Sequence, residues 1–375
     1  MAQRRVSMAA VAARAGVSGQ TVSRVVNGSP RVDPGTRERV EQAMAELGYR
    51  PHRAARALRT GRSQTLGVVA QTLATVGNSR MLQAVAEAAA GRGYALTVVT
   101  LGADGDIAAA FDRLDEQGAD GAVVLNEAAL LARDADPGRL ALVVVDSPPD
   151  DRFGVIGTDH EAGAREATRH LLDRGHRTVH HIAGPEASFA AQARERGWRA
   201  ALAEAGVAAP RVVRGDWSAR SGREAAERLA GAAGLTAVFA ANDQMALGAL
   251  RGFAESGRRV PDDVAVVGFD DIADAAEFRP PLTTVRQDFD ALGEEAVRML
   301  VARIEGSAPV TPASADPTAS HLSAADPSAL STAAPSALLA ADPSALAAAD
   351  PSAPVPSEPV PALLIPPTLV VRASS

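Results

Sequence analysis

Residues 16 to 27 read Gly-Val-Ser-Gly-Gln-Thr-Val-Ser-Arg-Val-Val-Asn, and this segment restricts the local fold more than any other stretch of the chain. Gly16 permits the left-handed backbone of a tight turn. Ser18 can cap the helix that follows by accepting a hydrogen bond from its free N–H groups. Helical spacing then places Val22, Val25 and Val26 on one buried face and leaves Gln20, Thr21, Ser23, Arg24 and Asn27 pointing outward. Amides, hydroxyls and a guanidinium on an exposed helix are groups that reach base edges and phosphates. The segment has the make-up of a DNA-reading helix-turn-helix.

The flanks agree. Val11, Ala12 and Ala15 give a preceding helix an apolar stripe, and Asp33-Pro34 is a cap followed by a first-turn proline, opening a third helix that runs to about Leu47. Residues 1–62 hold twelve arginines against four carboxylates, a net +8 in a chain whose total is −7. A basic head on an acidic body suits a polyanionic partner. The competing interpretation is a solvated three-helix bundle without DNA contact; the coincidence of charge, motif and position favours DNA.

At 375 residues the chain has room for two or three domains. It contains no cysteine, which excludes disulfides and thiolate metal sites and is compatible with a reducing cytoplasm. Arg14 interrupts the Ala-rich N-terminal stretch, so it does not make a signal peptide, and no run approaches the ~20 apolar residues of a membrane span. The expectation is a cytoplasmic, nucleoid-associated protein with no membrane partner. All basic side chains other than histidine are arginine.

Residues 50–62 form a linker whose Ala- and Arg-rich middle suits a helix of about two turns, marginal by itself in water. From Thr65 the pattern changes to apolar strands alternating with amphipathic helices, at Leu66–Ala70, Met81–Gly91, Ala95–Leu101, Ile107–Gln117, Gly121–Leu125 and Leu140–Val145. A second series opens at Val155–Gly157 and continues through 161–174, 178–183, 190–205, 211–214, 221–229, 237–240, 244–256 and 264–268. Such alternation implies parallel βαβ units. Two open α/β layers imply a cleft with ligand-facing loops at the strand C-termini. Asp146, Asp159, Asn242-Asp243 and Asp270-Asp271 directly follow strands there, although each is also a plausible helix cap or turn residue.

Residues 308–360 repeat Ala-Ala-Asp-Pro-Ser-Ala at 324, 340 and 348 and contain no arginine. Proline and small residues bury too little surface to offset ordering entropy, which predicts a disordered insert. Strand character returns at Leu363–Val371.

These residues carry a resemblance to the LacI family of transcriptional repressors. It rests on 16–27, Ala43–Tyr49, Gly215-Asp216-Trp217-Ser218, Ala241–Ala249, Val267–Asp271 and Gln287-Asp288-Phe289, and covers nearly the whole chain. The resemblance implies an α/β protein with an N-terminal helix-turn-helix head (1–49), a hinge helix (50–62) and a two-lobed, periplasmic-binding-protein-like body. One lobe comprises 63–158 and 288–307, the other 159–287 and 361–372, with the insert at 308–360. It also implies three crossings between lobes, near Thr158, near Asp288 and through the insert after Gly306.

The DNA-binding set is then Ser18, Gly19, Gln20, Thr21, Ser23, Arg24, Asn27, Tyr49 and Leu58. Leu58 matches a leucine that wedges into the minor groove, with helix packing as its alternative. Gly19 departs from the pattern, standing where a bulky base-contacting tyrosine is found, so operator preference should differ. The ligand-binding set carried over is Asp146, Arg194, Trp217, Asn242, Asp270 and Gln287, a mixture of polar groups around one aromatic plate that suits a sugar. A core role for Trp217 and a cap role for Asn242 remain open. Tetrameric family members end in a leucine-heptad helix not seen after the last strand here, so a homodimer is the expected state.

The competing functions are an enzyme and a transport-linked binding protein. The enzyme lacks its markers: no GxGxxG or P-loop follows the first strand, and His180-His181 has no cysteine or glutamate at ligand spacing. No catalytic residue, cofactor or metal site is expected. The binding protein would need export. The expectation is therefore a repressor that binds a pseudo-palindromic operator and is released by a β-galactoside or related glycoside, with a purine-type corepressor as the alternative effector.

Overall fold

The computed structural model describes residues 6–26, 29–49, 62–102, 105–306 and 362–375. Three helices come first: α1 (Met8–Ala15), α2 (Gly19–Val26) and α3 (Pro34–Leu47). Each starts or stops on a residue chosen for its end. Ser7 and Asp33 cap α1 and α3, while Gly16 and Gly48 close them in the left-handed conformation. Val11, Val22, Val25, Val40 and Ala43 meet in one small core.

The body has two six-stranded sheets. The first contains β1 (Thr65–Ala70), β2 (Ala95–Thr100), β3 (Gly121–Leu125), β4 (Ala141–Val145), β5 (Gly154–Thr158) and β11 (Leu363–Ile365), in the order β11-β5-β4-β3-β1-β2. Helices α4 (Val76–Gly91), α5 (Ile107–Glu116) and α6 (Glu127–Ala132) connect them. The second contains β6 (His180–Ala183), β7 (Val213–Arg214), β8 (Ala237–Ala240), β9 (Ala265–Asp270), β10 (Thr283–Arg286) and β12 (Thr368–Val370), in the order β12-β10-β9-β8-β6-β7. Its helices are α7 (His160–Asp173), α8 (Phe189–Glu204), α9 (Ala219–Leu229) and α10 (Asp243–Glu255). Helix α11 (Phe289–Glu305) returns to the first lobe, where Leu292, Ala296, Val297 and Leu300 pack with Met81, Val85 and Ile156.

All strand pairs are parallel except β10 with β12. Strands buried on both faces need continuous apolar runs, which explains Val-Val-Val and Ala-Val-Val in their middles. Close helix packing sets some residues: a Cβ on Gly248 of α10 would overlap the carbonyl of Ala219 on α9.

Four expectations from sequence are corrected. Val155–Gly157 closes the first sheet as part of β5, beside β4, and does not open the second. The apolar stretch 363–371 is two strands, and β11 pairs with β5, so 361–372 does not belong to the second lobe as a whole. The third crossing consequently lies at Pro366-Pro367, between β11 and β12, and not directly after Gly306. Finally, β10 and α6 were not anticipated. The sequence positions Asn27, Leu58, the hinge 50–61 and the insert 308–360 lie outside the described residues. Among the described residues no helix is long and apolar enough to cross a membrane.

Candidate functional site

In the head, the Ser18 hydroxyl accepts from Thr21 N at 3.1 Å and lies 2.9 Å from the Thr21 hydroxyl, so α2 is capped from its own sequence. Val22 and Val25 face inward, leaving Ser18, Gly19, Gln20 and Arg24 exposed and Thr21 and Ser23 half-buried. Not all basic residues face outward alone: Arg14 pairs with Glu46 at 2.5 Å, and Arg37 donates to the Ser29 carbonyl at 2.8 Å. Tyr49, just after Gly48 closes α3, is only 8% exposed and packs in the head's core.

The second site lies between the lobes, at the carboxyl ends of both sheets, where open α/β layers bind ligands. It is a narrow cleft whose walls include Asn78, Asn126, Glu127 and Asp146 from the first lobe and Arg194, Trp217, Asn242, Asp270 and Gln287 from the second and its crossing segments. All six residues expected at the ligand site therefore line one cavity.

The polar groups are mutually engaged. Gln287 donates to Asp270 Oδ1 at 2.7 Å and accepts from the Thr158 hydroxyl at 2.7 Å, joining two of the crossing segments. Arg194 is 4% exposed. It donates through Nε to His160 Nδ1 at 3.3 Å and through Nη1 to the Ala241 carbonyl, lies 3.6 Å from Asp270, and stacks 3.8 Å over the Phe269 ring. Asn242 fulfils the cap alternative as well as lining the cleft: its Oδ1 accepts from Met245 N at 2.9 Å and its Nδ2 donates to the Trp217 carbonyl at 3.1 Å. Thr158 N donates to Asp146 Oδ1 at 3.2 Å.

Trp217 sits at φ +73°, in the left-handed region that an indole residue adopts only when its surroundings impose it. A Cβ on Gly184 would overlap the indole ring, so glycine there leaves room for the plate. Its Nε1 donates to Glu127 Oε1 across the cleft at 3.2 Å. A second bond between lobes runs from Val76 N to Gln244 Oε1 at 3.0 Å.

Burial dominates the electrostatics. It pushes the Asp270 carboxyl up to about 6, against the opposing pull of Arg194 and the Gln287 hydrogen bond. Burial also raises Asp243 well above the carboxylate range, with the Asp270 charge adding to it. Asp243 sits behind the cleft wall, accepting from Thr284 Oγ1 at 2.5 Å and Ile272 N at 2.9 Å. Asp159 caps α7 through Ala162 N at 2.9 Å, and Asp271 pairs with Arg286 and Arg372, each at 2.7 Å. Asp159 thus fulfils its cap alternative, whereas Asp243 and Asp271 are held by contacts with residues distant in sequence.

Sequence reasoning missed Asn126 and Glu127, although they follow β3 as Asp146 follows β4 and the same rule would have found them. It also missed Asn78, which donates to the Thr72 carbonyl at 2.8 Å and accepts from Asn126. His160 had no local signal. Among the described residues no group of three or more His, Cys, Asp and Glu side chains could hold a metal ion.

Comparison with known proteins matches residues 7–52 to the bacterial regulatory proteins of the lacI family and residues 168–320 to the periplasmic binding protein-like domain. The HTH-type transcriptional regulator CelR of Thermobifida fusca is 39% identical over 321 residues, covering 81% of this chain and 93% of that protein. Among solved structures, a lac repressor dimer bound to operator and the anti-inducer ONPF superposes with a TM-score of 0.75 at 31% identity, covering 99% of each chain. A CelR–cellobiose complex superposes with a TM-score of 0.65 at 32% identity, covering 99% of this chain and 100% of that one.

Proposed function

The chain belongs to the lacI family of bacterial regulatory proteins and is a DNA-binding transcriptional regulator, and from that premise we propose that it binds a pseudo-palindromic operator as a homodimer and is released by a small glycoside. The head (1–49) carries the operator contacts, the hinge (50–62) transmits the lobe angle, and the site of action is DNA in the cytoplasm. It acts by binding and carries out no reaction.

The observation that carries the effector class is the cleft's combination of Trp217, a half-buried plate at one wall, with hydroxyl-binding groups on both lobes. A sugar's apolar face packs on an indole while its hydroxyls donate to carboxylates and accept from guanidinium or amide. Arg194, Asn242, Asp270 and Gln287 supply these groups on one side and Asp146 on the other. The cellobiose of the related CelR structure is in keeping with a sugar in this cleft.

A ligand shifts a conformational equilibrium only through different affinity for its two states. One that touches both lobes has that property, since the lobe angle decides whether Asp146 and Arg194 can engage it together. Two observations test the proposal: calorimetric titration against mono- and disaccharides and purines, and retardation of DNA from the upstream region with and without the ligand found. Tight binding of a β-linked glycoside that weakens retardation supports it. A purine that binds and strengthens retardation replaces it with a corepressor.

A further inference from the structure

We propose that His160 is a positioning residue of the effector cleft, a buried imidazole that holds Asp146 of the first lobe and Arg194 of the second from its two ring nitrogens. The inference rests on the reading of this cleft as a glycoside site.

His160 is the first residue of α7, two positions beyond Thr158, where the chain has just crossed between lobes. It is 2% exposed and its ring lies beside Phe269, with centroids 5.7 Å apart. Arg194 Nε carries a hydrogen and can only donate, so the 3.3 Å contact makes His160 Nδ1 an acceptor. In the neutral ring the proton is then on Nε2, and Nε2 is 3.0 Å from Asp146 Oδ1. The tautomer follows from the arginine.

Charge and burial favour the neutral ring. Burial lowers the pKa of His160 most, Asp146 opposes this, Arg194 adds to the lowering, and Asp159 at the helix cap opposes it weakly. A neutral imidazole between a guanidinium and a carboxylate accepts from the first and turns its N–H toward the second without adding a charge of its own.

The two halves of the contact differ in quality. The arginine side is an aligned hydrogen bond, whereas Nε2 approaches Asp146 closely but out of line and has no other partner. His160 and Arg194 ride on one lobe while Asp146 follows β4 of the other. A small change of lobe angle therefore aligns or parts the Asp146 half and leaves the Arg194 half intact. Ligand hydroxyls that pull on Asp146 act on the same contact, so His160 links occupancy of the cleft to lobe angle.

The test uses the full chain. With histidine labelled by 15N, the His160 resonances are assigned by their loss in His160→Gln; the expected state is a neutral Nε2–H tautomer whose Nε2 shift moves when glycoside is added. A neutral Nδ1–H tautomer, or an unmoved Nε2 shift at saturation, overturns the proposal. In parallel, glycoside affinity is measured by calorimetry for His160→Asn, which keeps an acceptor near Arg194, and His160→Phe, which fills the space and offers neither group. The expected losses are about tenfold for Asn and more for Phe. Melting curves identify the folded variant, and wild-type affinity in either folded variant sinks the proposal. If the wild-type chain binds no glycoside, the reading of the cleft falls first and the proposal with it.

Discussion

The caps of the head join residues three positions apart: Ser7 to Ala10, Ser18 to Thr21 and Asp33 to Thr36. In the cleft, by contrast, Asp270 bonds Gln287, Asn242 bonds Trp217 and Thr158 bonds Gln287, residues 17, 25 and 129 positions apart. The head's outward side chains project from a helix whose shape their own sequence sets. Cleft side chains are positioned by two sheets, three crossings and one another. A substitution on the head's outer face should therefore act by itself, whereas a substitution in the cleft should disturb stability and recognition together. Each measurement below probes that difference.

The largest effect is expected from Arg194→Ala. Removing one member of a buried ion pair typically costs about 3–5 kcal/mol, because its partner is left without compensation. The value should fall at the lower end, since Asp270, already pushed up to about 6 by burial, can take up a proton. Denaturant unfolding should show the loss, and calorimetry should show no glycoside binding. Operator retardation at a temperature where the variant is folded should persist and ignore the glycoside. Loss of operator affinity as great as the loss of glycoside affinity would break the separation between head and cleft.

Acid should distinguish the two regions next. The described part of the head contains no histidine, whereas the second lobe buries His181 completely, stacked on Phe239 with Nδ1 2.9 Å from that residue's carbonyl. Burial lowers its pKa from 6.5 to about 4, against the Phe239 hydrogen bond. The unfolded chain therefore takes up this proton first, and stability present above pH 6.5 is lost as pH falls toward 4, by about 3 kcal/mol. Asp270 has the opposite sign, because its raised pKa lets the folded state bind a proton first. Total acid stability thus mixes both, and the informative quantity is a difference. His181→Gln should gain about 3 kcal/mol relative to wild type between pH 7 and pH 4, measured by denaturant unfolding at each pH. A constant difference would show that His181 does not titrate with folding.

The same contrast of local and distant contacts decides what the sequence makes legible. Gly16, Ser18 and Asp33-Pro34 announce helix ends because the groups they satisfy are three or four residues away. Asp146, Asn242 and Asp270 are legible because a polar residue directly after an apolar strand lies at a sheet's carboxyl end whatever the neighbouring strands are. Sheet membership has no such local sign. Val155–Gly157 and Leu363–Ile365 look like any apolar strand, and only pairing with β4 and β5 assigns them to the first sheet. Strand β10 was hidden because its Thr283 and Thr284 are polar by sequence yet fully buried, their hydroxyls bonded to Ser375 and Asp243. His160 was hidden for the same reason: its two contacts come from residues 14 positions before it and 34 after it, beyond any window of periodicity.

On the head, Arg24→Ala should reduce operator affinity by about 1–3 kcal/mol if the guanidinium pairs with guanine. Arg24 is exposed on α2 and supports no core, so unfolding of the body and glycoside affinity should not change. Titration of operator and of random DNA at one salt concentration checks this, since a base contact weakens the first more than the second. Equal weakening would place Arg24 on phosphate instead.

The smallest effect is expected from Ser18→Ala, and it tests the head's independence most directly. Helix α2 has only eight residues, too few to be stable alone, so it depends on its cap and on Val22 and Val25 in the core. Loss of the hydroxyl leaves Thr21 N without its side-chain acceptor and costs about 1 kcal/mol. That corresponds to roughly fivefold faster amide exchange along α2 wherever exchange proceeds by local opening. Operator affinity should fall by about this factor, and further only if the Ser18 hydroxyl also contacts DNA. Glycoside affinity and exchange in both lobes should remain at wild-type values, since Ser18 bonds only within its own turn. Altered protection at β9 or β10 would mean that head and body unfold as one unit, and the contrast between local and distant contacts would then not divide the molecule's behaviour.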